Sequence, residues 1–511
     1  MNYMSLVSLE FFLFCVLVIT VYFIVPIKFK WIVLLLSSVF FLFYKNLNLY
    51  TVLQAFIVLV TGYLFAIMIY QNSSSKKSKK FLILGIIIIL FQLFYLKYSN
   101  LILITLNHIF NLLSINIELE LVHRNSLIGI SYYSLIMIGY LIDVYRNVCM
   151  PQRNIFKCAL FMTYFPILTS GPFIRYNKLN KELYEGYKFN YDRLCMGLIR
   201  VLFGLFKVLV ISKRIGFYVD SIYGNLANYS GLFVVIAVLL FPMQLYTNFS
   251  GSIDIIMGVS EIIGINLPEN FTTPFFSKTI TEFWRNWHIT LGSWLRDYVF
   301  YPIAKSELMQ KFRVNVTKRF GKWCGKKIPI YLSMLIMWLL IGIWHGGEYT
   351  YIVSSGILQF CFMVLEDILE PVFIKINKKL GIKSDVFSYK LYQCLRTYCL
   401  FSFAMIFFRA SSIKNAFEII RNMFVWNPWI LFDGSLYNAG LDSPDFKVLF
   451  MSLFILLIVE KIELNGSVRQ KLFNQNIFFR WTIIYSLIFF IIIFGCYGVG
   501  YDATQFIYGK F

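Results

Sequence analysis

The chain has 511 residues, 59% of them hydrophobic, 19% aromatic and only 14% charged, with a mean hydropathy of +0.69. Soluble chains are about a quarter charged and about half apolar, so this composition excludes a soluble globular protein and indicates an all-α polytopic membrane protein. The net charge of +21, from 47 basic and 26 acidic residues, is accounted for by the excess of Lys and Arg on cytoplasmic loops and does not call for a nucleic-acid partner.

Apolar runs recur in order at Phe11–Ile27, Trp31–Tyr44, Val52–Tyr70, Phe81–Leu96, Leu127–Leu141, Leu198–Ile211, Leu232–Leu245, Tyr331–Trp344, Ile352–Leu365, Tyr398–Phe408, Val448–Val459 and Phe478–Phe494. Shorter or more polar candidates are Ala159–Leu168 and Ile253–Ile265. Several fall below the roughly 20 residues that cross a bilayer, which predicts tilted or re-entrant helices. The first run has no basic residue ahead of it and no small-residue cleavage site, so it reads as a retained anchor. Three basic stretches, Ser73–Lys80, Lys305–Lys327 and Lys375–Lys390, read as cytoplasmic loops; the second holds eight Lys and Arg against Glu307. Nine scattered cysteines without a CxxC pair support neither a disulfide framework nor a zinc site. Trp426 to Asp445 is polar and reads as an exposed loop. With no separating linker or internal repeat, 1–494 reads as one membrane domain and 495–511 as a tail.

Four polar islands interrupt this background. Thr169 to Arg175, TSGPFIR, breaks at Gly171-Pro172 and offers Arg175, as an ordinary loop end or as a donor-binding element. Asn248 to Asp254, NFSGSID, offers hydrogen bonds that suit an unwound turn; Asp254 has no partner nearby in sequence, so it either lines a cavity or pairs with a distant cation. Thr279 to Ile303 starts as a capping box, Thr279 with Glu282, and then places Trp284, Trp287, Leu291, Trp294 and Tyr298 on one face of a continuous helix. Beside that stripe lies His288, and on the other side Arg285, Asn286 and Arg296, next to Asp297. Such a helix lies at the membrane interface or lines a wet cavity, and tryptophan favours the interface. Finally, MLIMWLLIGIWHGG delivers His345 from an apolar helix into Gly346-Gly347. Only four histidines exist; His108 and His123 sit near segment ends and read as surface or packing residues. No phosphate loop, HExxH, GxSxG or EF-hand pattern occurs, so the residues suit general-base and positioning chemistry without a metal.

Taken in order, these pieces resemble the membrane-bound O-acyltransferase family, in the bacterial branch of alginate O-acetylases and of the D-alanyl transfer proteins of teichoic acid. The resemblance rests on SLEFFLF…VYFIVPIKFKWIVLLLSS, on GISYYSLIMIGYLIDVYR and FPILTSGPFIR, and on NFSGSIDIIMG, which is similar to the family's DFSGYSDIAIG. It rests further on LPENFTTPFFSKTITEFWRNWHITLGSWLRDYVFYPI and IGIWHGG. Asn248 stands where that branch has Asp, and Ser252-Ile253 replaces Tyr-Ser.

The resemblance implies a ring of roughly 11–14 transmembrane or re-entrant helices around a central tunnel. It makes His345 the catalytic histidine and His288 the second one, orienting the donor or stabilising an oxyanion. Glu282, Trp284, Arg285, Arg296, Asp297, Asn248, Asp254 and Arg175 are then candidates for the tunnel or donor site. The terminal QFIYGKF resembles an F-x-Y-x-x-F tail whose tyrosine, here Tyr508, would carry the acyl group; without the family, an aromatic tail reads as an interfacial anchor. Tyr508 lies 14 residues beyond Phe494, up to about 46 Å when extended at about 3.3 Å per residue.

The function implied is acetyl transfer from a cytoplasmic acetyl-CoA, with no bound cofactor, across a bacterial plasma membrane to an envelope polysaccharide. The last step would need an extracellular SGNH-type transferase. D-alanyl transfer from a carrier-protein thioester to teichoic acid is the first alternative, and a non-enzymatic polymer transporter the second.

Overall fold

In lipid a backbone satisfies its own N–H and C=O groups within one segment only as a helix. A computed structural model of the chain, which describes residues 4–122, 128–346 and 348–498, is helical throughout. Among the described residues no strand forms beyond one isolated bridge between Phe271 and Trp287. Eight helices there are long and apolar enough to cross a bilayer: Leu49–Gln71, Lys76–Leu112, Tyr191–Gly224, Leu232–Ile262, Glu307–Trp344, Tyr349–Lys379, Phe387–Arg409 and Ile477–Phe494. Leu9–Ile24, Ile130–Tyr145 and Ile155–Ile167 are apolar but shorter, as the run lengths anticipate. Side-chain caps start many of them. Ser8 accepts from Phe11 N, and Asn48 forms a reciprocal capping box with Thr51.

The described residues fall into two compact units. One comprises 4–122, 128–205 and 252–268; the other comprises 206–251, 269–346 and 348–498. In the first, Leu49–Gln71 packs against Lys76–Leu93 and Ile130–Tyr145. Glycine permits this closeness: a Cβ on Gly62 would meet Met137 Cε at 2.1 Å. Ile130–Tyr145 is buried along nearly its whole length, which explains how a helix of only 16 residues holds its place. Small residues again bring backbones together where Gly197 and Gly258 face one another, each Cβ position lying 2.5–2.6 Å from the other's carbonyl oxygen.

In the second unit Glu307–Trp344 packs along the π-turn Ile352–Ile357, which Phe387–Arg409 also contacts. Gly342 and Gly356 line that crossing: a Cβ on Gly342 would lie 2.8 Å from Ile352 Cα. That crossing sets the end of the helix that carries His345.

Several expectations from sequence are corrected. The runs Leu232–Leu245 and Ile253–Ile265 are one helix, Leu232–Ile262, so Asn248–Asp254 is helical and not an unwound turn. The hydroxyls flanking it return to the helix, Thr247 Oγ1 donating to Met243 O and Ser260 Oγ to Ile256 O, while within it Ser250 Oγ accepts from Lys207 Nζ at 3.4 Å. Lys305–Lys327 is not a loop, since helix begins at Glu307, capped by Ser306, and runs through a kink at Gly321 (φ 85°). Alternating cations and exposed Leu308, Val314, Phe320 and Trp323 suit such a helix to a membrane surface. Trp426 to Asp445 carries exposed Trp426 and Phe432 as expected, yet buries Ile430, Leu436 and Leu441 through two 3-10 turns.

Candidate functional site

The segment after Thr279 is not the continuous amphipathic helix that its apolar spacing predicts. Helix Ile280–Asn286 stops at Trp287, and His288 adopts φ 47°, ψ 50° before Ile289–Leu295 resumes, followed by a π-turn Arg296–Phe300. A left-handed backbone costs a non-glycine residue about 1–2 kcal/mol, so surrounding contacts must hold it there.

Those contacts are specific. Residues 270–272 run antiparallel to 286–289: Thr272 N donates to Asn286 O at 3.0 Å, and Ile289 N to Asn270 O at 3.0 Å. The side chain of Asn270 crosses the same gap. Its Oδ1 accepts from Thr290 N at 3.2 Å and from Thr290 Oγ1 at 2.8 Å, and stands 3.1 Å from His288 Nδ1. Thr279 Oγ1 accepts from Glu282 N, as the capping box requires, but Glu282 reaches one residue further back, to Lys278 N at 2.7 Å. The helix start is held as well by Glu366, whose carboxylate accepts from Ile280 N, Thr281 N and Thr281 Oγ1. Trp284 Nε1 donates to Gln359 Oε1 at 3.0 Å.

His345 arrives from the other direction. It caps helix Glu307–Trp344, with its own N–H bonded to Ile341 O at 3.2 Å. Both histidines are buried, His288 at 4% and His345 at 5% exposure. Trp344 touches both, with ring centroids 6.1 Å from His288 and 5.0 Å from His345. Phe249 stands edge-on to His288 at 4.9 Å, and Phe408 edge-on to His345 at 5.5 Å. Burial, and secondly the charge of His345, hold the His288 imidazole well below the usual histidine range, so it is neutral at pH 7. The site is two imidazoles in an aromatic enclosure, where a low dielectric magnifies any charge that develops. Two imidazoles so placed have the chemistry to take and return a proton.

The other expected residues distribute unevenly. Trp287, Leu291, Trp294 and Tyr298 are buried, against the interfacial expectation, because the break at His288 turns this face toward aromatic neighbours; Phe283, Phe271 and Tyr246 pack on Trp287. Arg285 and Arg296 are exposed, and Arg296 lies 3.8 Å from Asp297. Asn248 is buried, and its Oδ1 meets no hydrogen-bond partner among the described residues. Asp254 pairs with Arg200 at 3.0 Å, so it has the distant cation. Arg175 and Asp254 belong to the first unit, whereas both histidines belong to the second. Tyr508 and His123 lie outside the described residues, and His108 is exposed on its helix.

Sequence reading missed Asn270, Thr290, Gln359 and Glu366. Asn270 lies 18 residues before His288 on a separate non-helical segment, so no shared helix or strand face links the two, and only its place in PENF marked it.

Comparison with known proteins gives the site a context. Residues 150–406 match the model of the membrane-bound O-acyltransferase family. The probable alginate O-acetylase AlgI of Pseudomonas syringae pv. tomato is 28% identical over 72% of this chain and 65% of its own length. The peptidoglycan O-acetyltransferase of Helicobacter pylori is 25% identical over 76% of this chain and 73% of its own. The teichoic acid D-alanyltransferase of Bacillus subtilis is 29% identical over 47% and 60%.

Proposed function

Because the chain belongs to the membrane-bound O-acyltransferase family, and is thus a multi-pass membrane acyltransferase, we propose that it carries an acetyl group from acetyl-CoA to a hydroxyl destined for an envelope polysaccharide. The observation that carries this reading is the pairing of two buried histidines in one aromatic enclosure, one capping an apolar helix and the other held in a strained turn. Two relatives bear O-acetylating names, which favours acetyl over other acyl groups.

In the proposed reaction the acceptor O–H attacks the thioester carbonyl. His345 takes the hydroxyl proton as the C–O bond forms, and returns it to the thiolate sulfur as the C–S bond breaks. If the acceptor is Tyr508, the reference pKa values of an unperturbed phenol (about 10) and imidazole (about 6.5) set complete prior transfer uphill by about 5 kcal/mol. Proton transfer is therefore concerted with attack. The acetylated tyrosine would then present its ester to an SGNH-type transferase outside a bacterial plasma membrane. Transfer to the polysaccharide is assigned to that partner because no GxSxG pattern occurs in this chain.

A second reading has one observation in its favour: the Bacillus subtilis relative is named a D-alanyltransferase. Membranes or cells fed radiolabelled acetyl-CoA or D-alanyl carrier protein distinguish the two. Label from acetyl-CoA should enter envelope glycan with the wild type and fall by at least about a hundredfold with His345→Ala. Undiminished incorporation in that variant removes His345 from the mechanism, and label entering only from the D-alanyl carrier replaces acetyl by D-alanyl.

A further inference from the structure

We propose that Asn270 is the positioning residue that fixes His288 in the Nδ1–H tautomer, so that His288 offers only Nε2, as a proton and hydrogen-bond acceptor, to the bound substrate. The inference deepens the reading given above and rests on it for the identity of that substrate.

The amide of Asn270 is oriented by a partner that cannot change roles. Thr290 N is a backbone donor, and the atom facing it at 3.2 Å must accept, so that atom is the carbonyl oxygen and not the amide nitrogen. Thr290 Oγ1, at 2.8 Å, donates to the same oxygen. His288 Nδ1 stands 3.1 Å from it, and an acceptor oxygen at that distance requires the proton on Nδ1. A neutral imidazole has one donor and one acceptor nitrogen, so Nε2 keeps its lone pair.

The ring has little freedom to escape this arrangement. Phe249 closes on it edge-on and Trp344 lies beyond, while Ile289 N bonded to Asn270 O clamps the left-handed turn from the other side. Burial supports the neutral form, since the charged imidazolium would be desolvated there. Asn270 is itself 0% exposed, and its Nδ2 meets no hydrogen-bond partner among the described residues. Among the described residues, its side chain bonds only through the oxygen that faces His288 and Thr290.

A chemical consequence follows. A neutral His288 with its one proton committed to Asn270 cannot donate to a developing oxyanion, and it can accept from an O–H or N–H of the substrate. It therefore orients the acceptor hydroxyl, or an amide N–H of the donor's pantetheine arm, beside His345.

The test uses the full-length protein in lipid nanodiscs with 15N-labelled histidine, of which the chain has only four. The His288 resonances are identified by their loss in His288→Gln. The wild type should show a protonated Nδ1 and a bare Nε2. In Asn270→Leu the ring should lose that single tautomer, and kcat should fall on the order of 10–100-fold with a smaller change in KM. Asn270→Asp keeps an oxygen toward Thr290 and His288, and should restore the Nδ1–H signal and part of the lost kcat. A wild-type ring protonated at Nε2 overturns the proposal, as does an Asn270→Leu protein with unchanged tautomer and kcat. If Asn270→Leu does not fold, the wild-type and Asn270→Asp spectra decide. The tautomer is read without any acyl donor, so its outcome stands apart from whether acetyl is the group transferred.

Discussion

Two polar motifs of similar promise in the sequence take opposite fates. Asn248–Asp254 lies in the unbroken helix Leu232–Ile262, whereas Glu282–Ile303 is divided, at His288 and again at a π-turn, into short helices. The difference lies in where each motif finds its partners. The flanking hydroxyls bond to their own helix one turn back, and Lys207 and Arg200 meet the side chains of Ser250 and Asp254, so these bonds leave the helical backbone closed. In the second, Asn270, Gln359 and Glu366 draw the segment into a shape that no single helix provides. Polar content alone therefore does not predict a break; partners that bond the backbone itself, as Asn270 and Glu366 do, accompany one.

The largest effect should come from the unbroken motif. Asp254→Ala removes the carboxylate that the buried Arg200 guanidinium faces at 3.0 Å; losing one member of a buried pair costs about 3–5 kcal/mol. Thermal unfolding in detergent should show this loss, and replacing both residues by Leu or Met should recover most of it. If the single variant is as stable as wild type, the pair does not hold the helix and the contrast with the broken motif fails.

Glu366→Ala probes the broken motif. It removes a carboxylate that accepts two backbone N–H groups and the Thr281 hydroxyl, and that lies 3.9 Å from Arg396. Charged hydrogen bonds contribute about 1.5–3 kcal/mol, so a loss near the lower figure is expected for a partly exposed group. Because Glu366 touches neither histidine in the bonds above, acyl transfer should fall through loss of His288's geometry, and high substrate should not rescue it.

The smallest effect concerns pH. Folding depresses the pKa of His288, so the unfolded chain binds the extra proton first. Stability then rises with pH wherever the unfolded state holds more protons, and it declines as pH falls below about 6.5. The slope from one such group is at most about 1.36 kcal/mol per pH unit. His288→Gln should flatten that slope, as measured by unfolding between about pH 5 and 8. An unchanged slope would show that His288 is as readily protonated folded as unfolded.

Much of the fold was legible because lipid leaves few choices. The runs Val52–Tyr70 and Phe478–Phe494 match helices Leu49–Gln71 and Ile477–Phe494 closely, since apolar length alone decides them. The basic stretch Lys305–Lys327 was misread as a loop because charge masked its helical period. His345 was legible for a related reason: an apolar helix that ends in a histidine is rare and costly. His288 was visible as a residue but not as a turn, since its left-handed backbone is held by Asn270, which bonds Ile289 and Thr290 from across the gap. Arg200, lying 54 residues before Asp254 within an apolar run, had no local signal at all.

By itself the sequence determined that the chain is a helical membrane protein, that its family is one of acyl transfer, and that His345 stands at the end of an apolar helix. Those follow from composition, run length and ordered motifs, which are properties of the chain taken one segment at a time. Only tertiary structure decided which polar motif stays helical, how His288 is turned and which atom of Asn270 faces it. Each of those depends on hydrogen bonds between residues far apart in the chain, and hydrogen bonds of that kind leave no period for a sequence to display.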